Sequence, residues 1–509
     1  MKGRPLPPSD SEDAEAIADA TAQRIVAAAT AVTGHPPEGT GLAEAASSGL
    51  QDLVDRLRSS QDVSLAWLLL TAVAGCYPQA DDVRAVRRAA RLDDGTETAL
   101  AVLDRARHLA LTHRTADRPM RVVGDVVVDL DLCSRSDFHN GIQRVARETI
   151  RCWGAEHEIT TAAWTDSGGA LRSMSPLEEA RARHWAEPLL DERRQEADDE
   201  PFTEFDLLVP WRTTVVLAEV PIESRCPQLA ALAEFSGNRL VAIGYDAIPL
   251  VSADLRPEGE PSAFAAYLTV VKHSTAVAGI SRSATDEFAG FAATLPGQGL
   301  TGPVVSEVRL PSEVPPAPAG WVRTAPATPR VLSVGRFEPH KNQGALLHAA
   351  ELLWREGLDF SLDLIGGPGW STTAVDAQLA ALERAGRPVR RLGSVPEEVL
   401  WSSIREASFT VFVSLHEGFG LPVSESLACG TPVITSDYGS QGEIAEGGGC
   451  LAVDPRDDAA VTSAMRRLLT DPVELDRLRQ EAIARPLRTW KQYATELWDV
   501  LMKEPRPCP

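Results

Sequence analysis

Residues 409–437 read FTVFVSLHEGFGLPVSESLACGTPVITSD, and their pattern indicates the fold class of the chain. Its apolar run from Phe409 to Ser414 predicts a buried strand, and a glycine-rich turn follows it. A short helix then opens with Pro422 and stops at Gly430, before a second buried strand begins at Pro432. This strand, loop, helix, strand unit indicates an open α/β sheet, in which ligands bind at the carboxyl ends of the strands.

Two glutamates lie at this predicted sheet edge. Gly418, Gly420 and Pro422 prevent one continuous helix between them, so Glu417 belongs to the loop and Glu425 to the helix. Backbone amides of the loop, beside a helix amino terminus, suit phosphate or sugar oxygens, while the carboxylates accept hydrogen bonds from hydroxyls. The site therefore suits a nucleotide-sugar. The plainer interpretation is a capped helix with solvated glutamates.

A second cluster, GRFEPHKN, occupies residues 335–342. Gly335 ends a predicted strand, and Arg336 and Lys341 lie in the loop before the next helix. Two cations beside helix amides suit a diphosphate, whose charge grows as a sugar–phosphate bond breaks. Two loop cations are otherwise only solvated charges, but this loop is expected at the same sheet edge as the glutamates.

The sequence HEGFGLPVSE, residues 416–425, matches the E-x7-E signature of retaining glycosyltransferases, and it resembles family 4 (glycosyl transferases group 1) in particular. That family has the GT-B fold of two facing Rossmann-like domains. By resemblance, Glu417 and the following amides hold the donor sugar, Glu425 holds the ribose hydroxyls, and Arg336 and Lys341 bind the donor phosphates. The candidate catalytic residues are Arg336, Lys341 and Glu417, and the candidate donor-binding residues are Gly141, Gly335, Gly418, Phe419, Gly420, Leu421 and Glu425.

The whole sequence divides into five parts. Residues 1–118 show helical periodicity without a strand signal, and we expect an all-helical extension for packing or partner contact. Alternating strand and helix patterns predict two Rossmann-like domains, an acceptor domain at 119–312 and a donor domain at 330–488. The proline-rich residues 313–329 predict a linker. Residues 489–509 predict a last helix, and the resemblance implies that it crosses back to the acceptor domain.

Within the acceptor domain, residues 122–130 (VVGDVVVDL) predict one near-continuous buried strand, followed by a loop and a helix that starts at Ile142. Gly141 matches the glycine of the family's first loop, which faces the donor diphosphate. Asp246, in GYDAIPL, is a candidate contact for an acceptor hydroxyl or a cap for a turn before Pro249. Asp129-Leu130-Asp131 spells the D-x-D of metal-dependent glycosyltransferases, but so short a match is weak.

Composition excludes several other classes of protein. A net charge of −22 over 509 residues argues against a nucleic-acid binder and against broad adhesion to anionic lipid. The 7 cysteines are scattered, which indicates reduced thiols and neither a disulfide framework nor a zinc site. The amino terminus lacks a signal-peptide pattern, and the uncharged run 63–80 is interpreted as a buried helix. We therefore expect a cytoplasmic protein with at most peripheral membrane contact.

We expect a metal-independent and cofactor-free hexosyltransferase, and the family resemblance implies that it retains the anomeric configuration. It would move a hexose, with mannose as one candidate, from a nucleotide-sugar to a glycan or glycolipid acceptor in surface polysaccharide biosynthesis. One alternative is a nucleotide-sugar 2-epimerase of the same fold. Another is a non-catalytic scaffold that acts through residues 1–118. The sequence leaves open the nucleotide, the sugar, the acceptor, the linkage and the oligomeric state.

Overall fold

The computed structural model describes residues 10–60, 62–137, 139–185, 187–197, 205–324 and 326–503. Its strands are β1 (Met120–Val123), β2 (Val126–Asp129), β3 (Ile159–Trp164), β4 (Leu171–Arg172), β5 (Leu207–Pro210), β6 (Thr214–Leu217), β7 (Arg239–Gly244), β8 (Ala276–Gly279), β9 (Val304–Glu307), β10 (Arg330–Val334), β11 (Ser361–Ile365), β12 (Val389–Gly393), β13 (Phe409–Phe412), β14 (Val433–Ser436) and β15 (Cys450–Val453).

The helices before the linker are α1 (Asp10–Thr33), α2 (Leu42–Ser60), α3 (Val63–Ala74), α4 (Ala80–Leu92), α5 (Gly95–His113), α6 (Asp131–Arg135), α7 (Gly141–Glu156), α8 (Pro176–Arg183), α9 (Pro188–Ala197), α10 (Cys226–Phe235), α11 (Ile248–Val251), α12 (Glu260–Val271) and α13 (Arg282–Ala292). Those after it are α14 (Gln343–Arg355), α15 (Thr373–Arg384), α16 (Glu397–Glu406), α17 (Leu421–Ala428), α18 (Gly439–Ala445), α19 (Asp458–Thr470), α20 (Pro472–Ala484) and α21 (Trp490–Met502).

Two sheets divide the chain. The first has 9 strands in the order β1-β5-β4-β3-β2-β6-β7-β8-β9, and the second has 6 in the order β12-β11-β10-β13-β14-β15. The second sheet is parallel throughout, whereas β4 is antiparallel to both neighbours in the first. Helices cover the sheets because strands with no polar face must be buried on both sides. We call the part up to β9 the first domain and the part from β10 to α20 the second domain.

The amino-terminal helices share their core with the first sheet. Helix α3 is buried from Ser64 to Ala74, and the Asp62 side chain caps its start by accepting from the Ser64 amide. The Tyr77 ring packs between Trp67, at 5.2 Å, and Trp164 of β3, at 5.9 Å. Helices α1 to α5 thus confirm the predicted all-helical region, and this region contributes to the packing of the first sheet. Across the described ranges, none of the helices combines the length and apolar character that crossing a bilayer requires.

The prediction of one continuous strand at residues 122–130 is wrong. The chain breaks at Gly124 and Asp125, which are both exposed. Strand β1 pairs with β5 at the sheet edge, while β2 pairs with β3 and β6 in its interior. An exposed glycine–aspartate pair cannot sit inside a buried strand, and the two halves therefore occupy separate places in the sheet. Strand β6, between β2 and β7, carries no separate prediction from the sequence.

Helix α21 returns to the first domain. Trp153 Nε1 of α7 donates to the Ala494 carbonyl at 2.8 Å. The Arg239 guanidinium, at the start of β7, donates to the last carbonyls of α21, including Leu501 at 3.1 Å. A cation at a helix carboxyl terminus is favourable because it offsets the helix dipole and donates hydrogen bonds to carbonyls that have no partner within the helix. Helix α21, which follows the second domain in the chain, is therefore bound to the first domain.

Candidate active site

The loop between β13 and α17 presses against the first domain. A Cβ built on Gly418 would lie 2.5 Å from the Tyr245 carbonyl oxygen, so only glycine permits this approach. Ser281 Oγ donates to the Gly418 carbonyl at 2.7 Å, which fixes the loop from the other side. Phe419 is buried in a core cluster shared by both domains. Gly420 has φ +96 and turns the chain into α17. The glycine loop thus lies in the cleft between the two domains.

Lys341 and Glu417 form the central ion pair of this cleft. Lys341 Nζ donates to Glu417 Oε1 at 2.7 Å and to Oε2 at 2.8 Å. Burial alone would raise the pKa of Glu417, but the charges and hydrogen bonds of its neighbours, Lys341 foremost, together outweigh burial and hold that pKa below its ordinary value. Asn342, with φ +55, anchors the lysine turn by donating to the Pro455 carbonyl at 2.8 Å. The two sequence motifs therefore meet at one ionised pair.

Arg336 lies on the same edge of the second sheet but is oriented differently. Its guanidinium donates to the Pro368 carbonyl at 3.1 Å and lies 3.6 Å from Glu338. Its side chain is 47% exposed, against 24% for Lys341. Gly335, with φ +152, is contacted by the next loop: a Cβ built on Gly366 would lie 1.9 Å from its carbonyl oxygen. Lys341 is thus joined to Glu417, while Arg336 is more exposed and contacts neighbouring loop residues of the second domain.

Glu425 pairs with a residue of the first domain that the sequence did not identify. Arg144 Nη1, in the first turn of α7, donates to Glu425 Oε1, and the Glu425 side chain is 7% exposed. Gly141 begins α7, and a Cβ built on it would lie 3.6 Å from Leu421 Cδ1. The loops that carry Gly141 and Gly418, and the amino termini of α7 and α17, therefore converge near Glu425. One feature of the sequence could have identified Arg144, namely its position three residues after Gly141 and beside the apolar stripe of the helix.

Asp246 lies across the cleft in a network of ionisable groups. Its Oδ1 accepts from the Ile248 amide at 3.1 Å, and its Oδ2 is 2.9 Å from the position of a Cβ on Gly418. Burial, followed by the nearby Glu287, raises the pKa of Asp246 to about 6. Glu287 of α13 in turn contacts His416, at 2.7 Å between Oε1 and Nε2. Glu287 and His416 were also missed, because their contact depends on how the domains meet.

The D-x-D residues belong to a separate acidic cluster at the ends of β2 and β6. Trp164 Nε1 donates to Asp129 Oδ2 at 2.8 Å, and the Trp164 amide donates to Asp131 Oδ1 at 2.9 Å. Glu219 Oε2 accepts from the Leu132 amide at 2.9 Å. Burial raises the pKa values of Asp129 and Glu219 to about 7. In the part of the chain that the structure describes, no group of three or more His, Cys, Asp or Glu side chains is arranged to hold a metal ion.

The described cysteines are free thiols, at positions 76, 133, 152, 226, 429 and 450. Burial raises the pKa values of several of them, including Cys76 to about 12, which keeps them protonated and unreactive. Cys508 lies outside the described residues. The thiols contribute to packing and not to the cleft chemistry.

The architecture is that of the GT-B glycosyltransferases. The crystal structure of Anabaena Alr3699/HepE in complex with UDP and glucose superimposes with a TM-score of 0.51 at 14% identity, covering 74% of this chain and 99% of that one. At this level of identity the likeness establishes the fold alone. Residues 323–485 match the family model described as Glycosyl transferases group 1.

Curated relatives match over part of their length. The O-antigen chain mannosyltransferase B of Escherichia coli is 37% identical over 168 residues, which are 32% of this chain and 42% of that protein. The serotype-specific mannosyltransferase WbdA of Escherichia coli is 24% identical over 344 residues, which are 63% of this chain and 40% of that protein. The chain thus spans about two fifths of the length of these relatives.

Proposed function

We propose that this protein is a retaining hexosyltransferase that takes its sugar from a nucleotide-sugar and acts in surface polysaccharide biosynthesis. The observation that carries the proposal is the Lys341–Glu417 pair on a glycine loop, inside the cleft of a GT-B fold. The second domain would hold the donor, and the first domain would present the acceptor. The similarity to an O-antigen chain mannosyltransferase and a serotype-specific mannosyltransferase favours mannose as the sugar and an O-antigen-type glycan as the product.

The cleft supplies the groups that such a transfer needs. As the bond between the anomeric carbon and the phosphate breaks, negative charge grows on the leaving diphosphate and positive charge grows on the sugar. Lys341 and Arg336 would stabilise the diphosphate, and the carboxylate of Glu417 would stabilise the sugar. Glu425 would hold the ribose hydroxyls and exchange its present partner, Arg144, for them. Gly141, Gly335 and the amides of residues 418–421 would allow close approach of the phosphates.

The path of the proton and the retained stereochemistry both follow from front-face attack on the donor sugar. The acceptor oxygen forms a bond to the anomeric carbon on the side from which the phosphate leaves. The leaving phosphate oxygen takes the proton of the acceptor hydroxyl, so the anomeric configuration is retained. Asp246, on the first-domain side of the glycine loop, would accept a hydrogen bond from the acceptor and orient it.

We further propose that transfer needs no metal ion, because Lys341 and Arg336 can supply the positive charge that a metal provides elsewhere. Asp129 and Asp131 support this part of the proposal, since both accept hydrogen bonds within the fold. We expect chelation by EDTA to leave turnover unchanged. A cytoplasmic location, where nucleotide-sugars are made, belongs to the same proposal.

Thermal unfolding in the presence of a panel of nucleotide-sugars tests the donor site. The correct donor at 100 times its dissociation constant should stabilise the protein by about 2.7 kcal/mol, and Glu425→Gln should reduce this shift. Assays with and without acceptor then separate the alternatives. An epimerase would convert the sugar without an acceptor, and a scaffold would neither bind the donor nor consume it. A transferase consumes the donor rapidly only when an acceptor is present.

A further inference from the structure

One side chain of the glycine loop reaches across the cleft into the first domain. His416 directly precedes Glu417, but it contacts different partners. Its Nε2 lies 2.7 Å from Glu287 Oε1 on α13, and its Nδ1 lies 2.8 Å from Ser252 Oγ after α11. The His416 and Glu287 side chains are each 14% exposed. The imidazole thus joins two elements of the first domain to the loop that carries Glu417.

The same glutamate holds the turn that carries Asp246. Glu287 Oε2 accepts from the Ala247 amide at 2.6 Å, while Oε1 is engaged by His416. One carboxylate oxygen of Glu287 therefore holds the turn that carries Asp246, and the other contacts His416 of the second-domain loop. Gly418, two residues after His416, touches this turn directly at the Tyr245 carbonyl. A displacement of His416 would consequently move Asp246 relative to Glu417.

We infer that His416 and Glu287 form an interdomain clamp that sets the position of the Asp246 turn against the Glu417 loop during sugar transfer. This inference rests on the proposed function, and it makes His416 a positioning residue that acts through Asp246 and Glu417. We expect it to affect acceptor use more than donor binding, since Lys341 and Glu425 belong to other contacts. The clamp is a charge-assisted hydrogen bond when the imidazole is protonated.

The charges around His416 favour the protonated form. Burial acts to lower the pKa of His416, but the hydrogen bond and charge of Glu287, with Asp246 and Glu417, raise it above the ordinary value. From the turn before α14, Lys341 faces the site as a cation already paired with Glu417, and His340 is neutral because burial lowers its pKa to about 3. Because the pKa of His416 is raised in the fold, the charged clamp is complete below that pKa and weakens as pH rises through it.

The test compares His416→Gln and Glu287→Gln with the control variant His273→Gln. Gln keeps the size of the side chain and a hydrogen-bonding amide but removes the charge. His273 is a matched control because it pairs with Glu234, 3.6 Å away, within the first domain. For both clamp variants we expect kcat/KM for the acceptor to fall on the order of tenfold, with donor KM changed less than about twofold. The control should match the wild type.

Two further readouts separate positioning from mere packing. The alkaline fall of wild-type activity that reflects His416 should be absent in His416→Gln. Hydrogen exchange of the peptide covering residues 245–252 should be faster in both clamp variants, since the Ala247 amide depends on Glu287. Exchange and acceptor kinetics equal to those of the control would overturn the clamp. A wild type that consumes no nucleotide-sugar would instead refute the proposed function, while the exchange comparison would still decide the clamp.

Discussion

Replacing Lys341 by methionine should separate the contribution of this lysine to stability from its proposed contribution to turnover. Its ammonium donates to both oxygens of Glu417, at 2.7 and 2.8 Å, and the glutamate side chain is only 12% exposed. Removing one partner of a buried pair costs about 3–5 kcal/mol, because a charge is left buried. Lys341 is 24% exposed, so we expect the lower end, about 3 kcal/mol. For a domain of roughly 150–250 residues, a loss of about 3 kcal/mol corresponds to a fall of roughly 6–12 °C in Tm.

The loss should depend on pH in a defined direction. The pKa of Glu417 is held below its ordinary value in the fold, so its stabilisation exists above that ordinary value and disappears as pH falls through the folded pKa. Lys341→Met should therefore lower Tm strongly at pH 8 and much less near pH 4. Adding Glu417→Gln should restore most of the stability at pH 8, since no buried charge then remains. An equal Tm loss at both pH values would refute this account of the pair.

The loss of turnover in Lys341→Met should be separate from its loss of stability. If Lys341 also stabilises the leaving diphosphate, Lys341→Met should lower kcat by on the order of 100-fold at a temperature where the variant is folded. Initial-rate kinetics with saturating donor measure this directly, and circular dichroism confirms the folded state. Near-normal turnover in the folded variant would remove the lysine from the chemistry.

Three other outcomes are expected. Glu425→Gln should raise donor KM on the order of tenfold with little change in kcat, whereas Glu417→Gln should mainly lower kcat; identical initial-rate profiles would show that the two roles are wrongly assigned. Gly418→Ala should reduce kcat/KM more than about tenfold, because its Cβ would lie 2.5 Å from a carbonyl oxygen of the first domain, while Gly290→Ala, with nothing within 4 Å, serves as the control. The pKa of Glu219 is raised to about 7, so its contribution to stability is present at low pH and lost as pH rises through 7; Glu219→Gln, which keeps an acceptor for the α6 amides, should flatten this part of the Tm profile, and an unchanged slope would contradict the assignment.

Local patterns were sufficient for the second domain. The stretch 409–437 contains β13, α17 and β14 where its apolar runs, Pro422 and Gly430 predict them. Such elements are encoded by neighbours in the sequence: buried parallel strands are short apolar runs, and proline and glycine mark the helix ends. The parallel pairing of the strands in the second sheet follows from the same alternation of strand and helix.

Contacts made across the cleft could not be predicted in this way. Arg144 and Glu425 are 281 positions apart, and His416 and Glu287 are 129 positions apart. Each of these four residues looks like an ordinary surface charge on its own element, and only the packing of the two domains brings the partners together. The break at Gly124 was missed for a related reason, because exposure of two residues within a valine-rich run depends on which strands flank it.

The proposed retaining sugar transfer can be followed by proton NMR of a nucleotide-sugar incubated with the protein and a mannose-terminated acceptor. We expect the donor anomeric signal to decline, free nucleoside diphosphate to appear, and a glycosidic anomeric signal of the same configuration to grow, and we expect all three changes to require the acceptor. A product of inverted configuration would contradict the proposed retention. Conversion of the donor sugar without the acceptor, or no consumption of any nucleotide-sugar in the panel, would contradict the proposal of a glycosyltransferase.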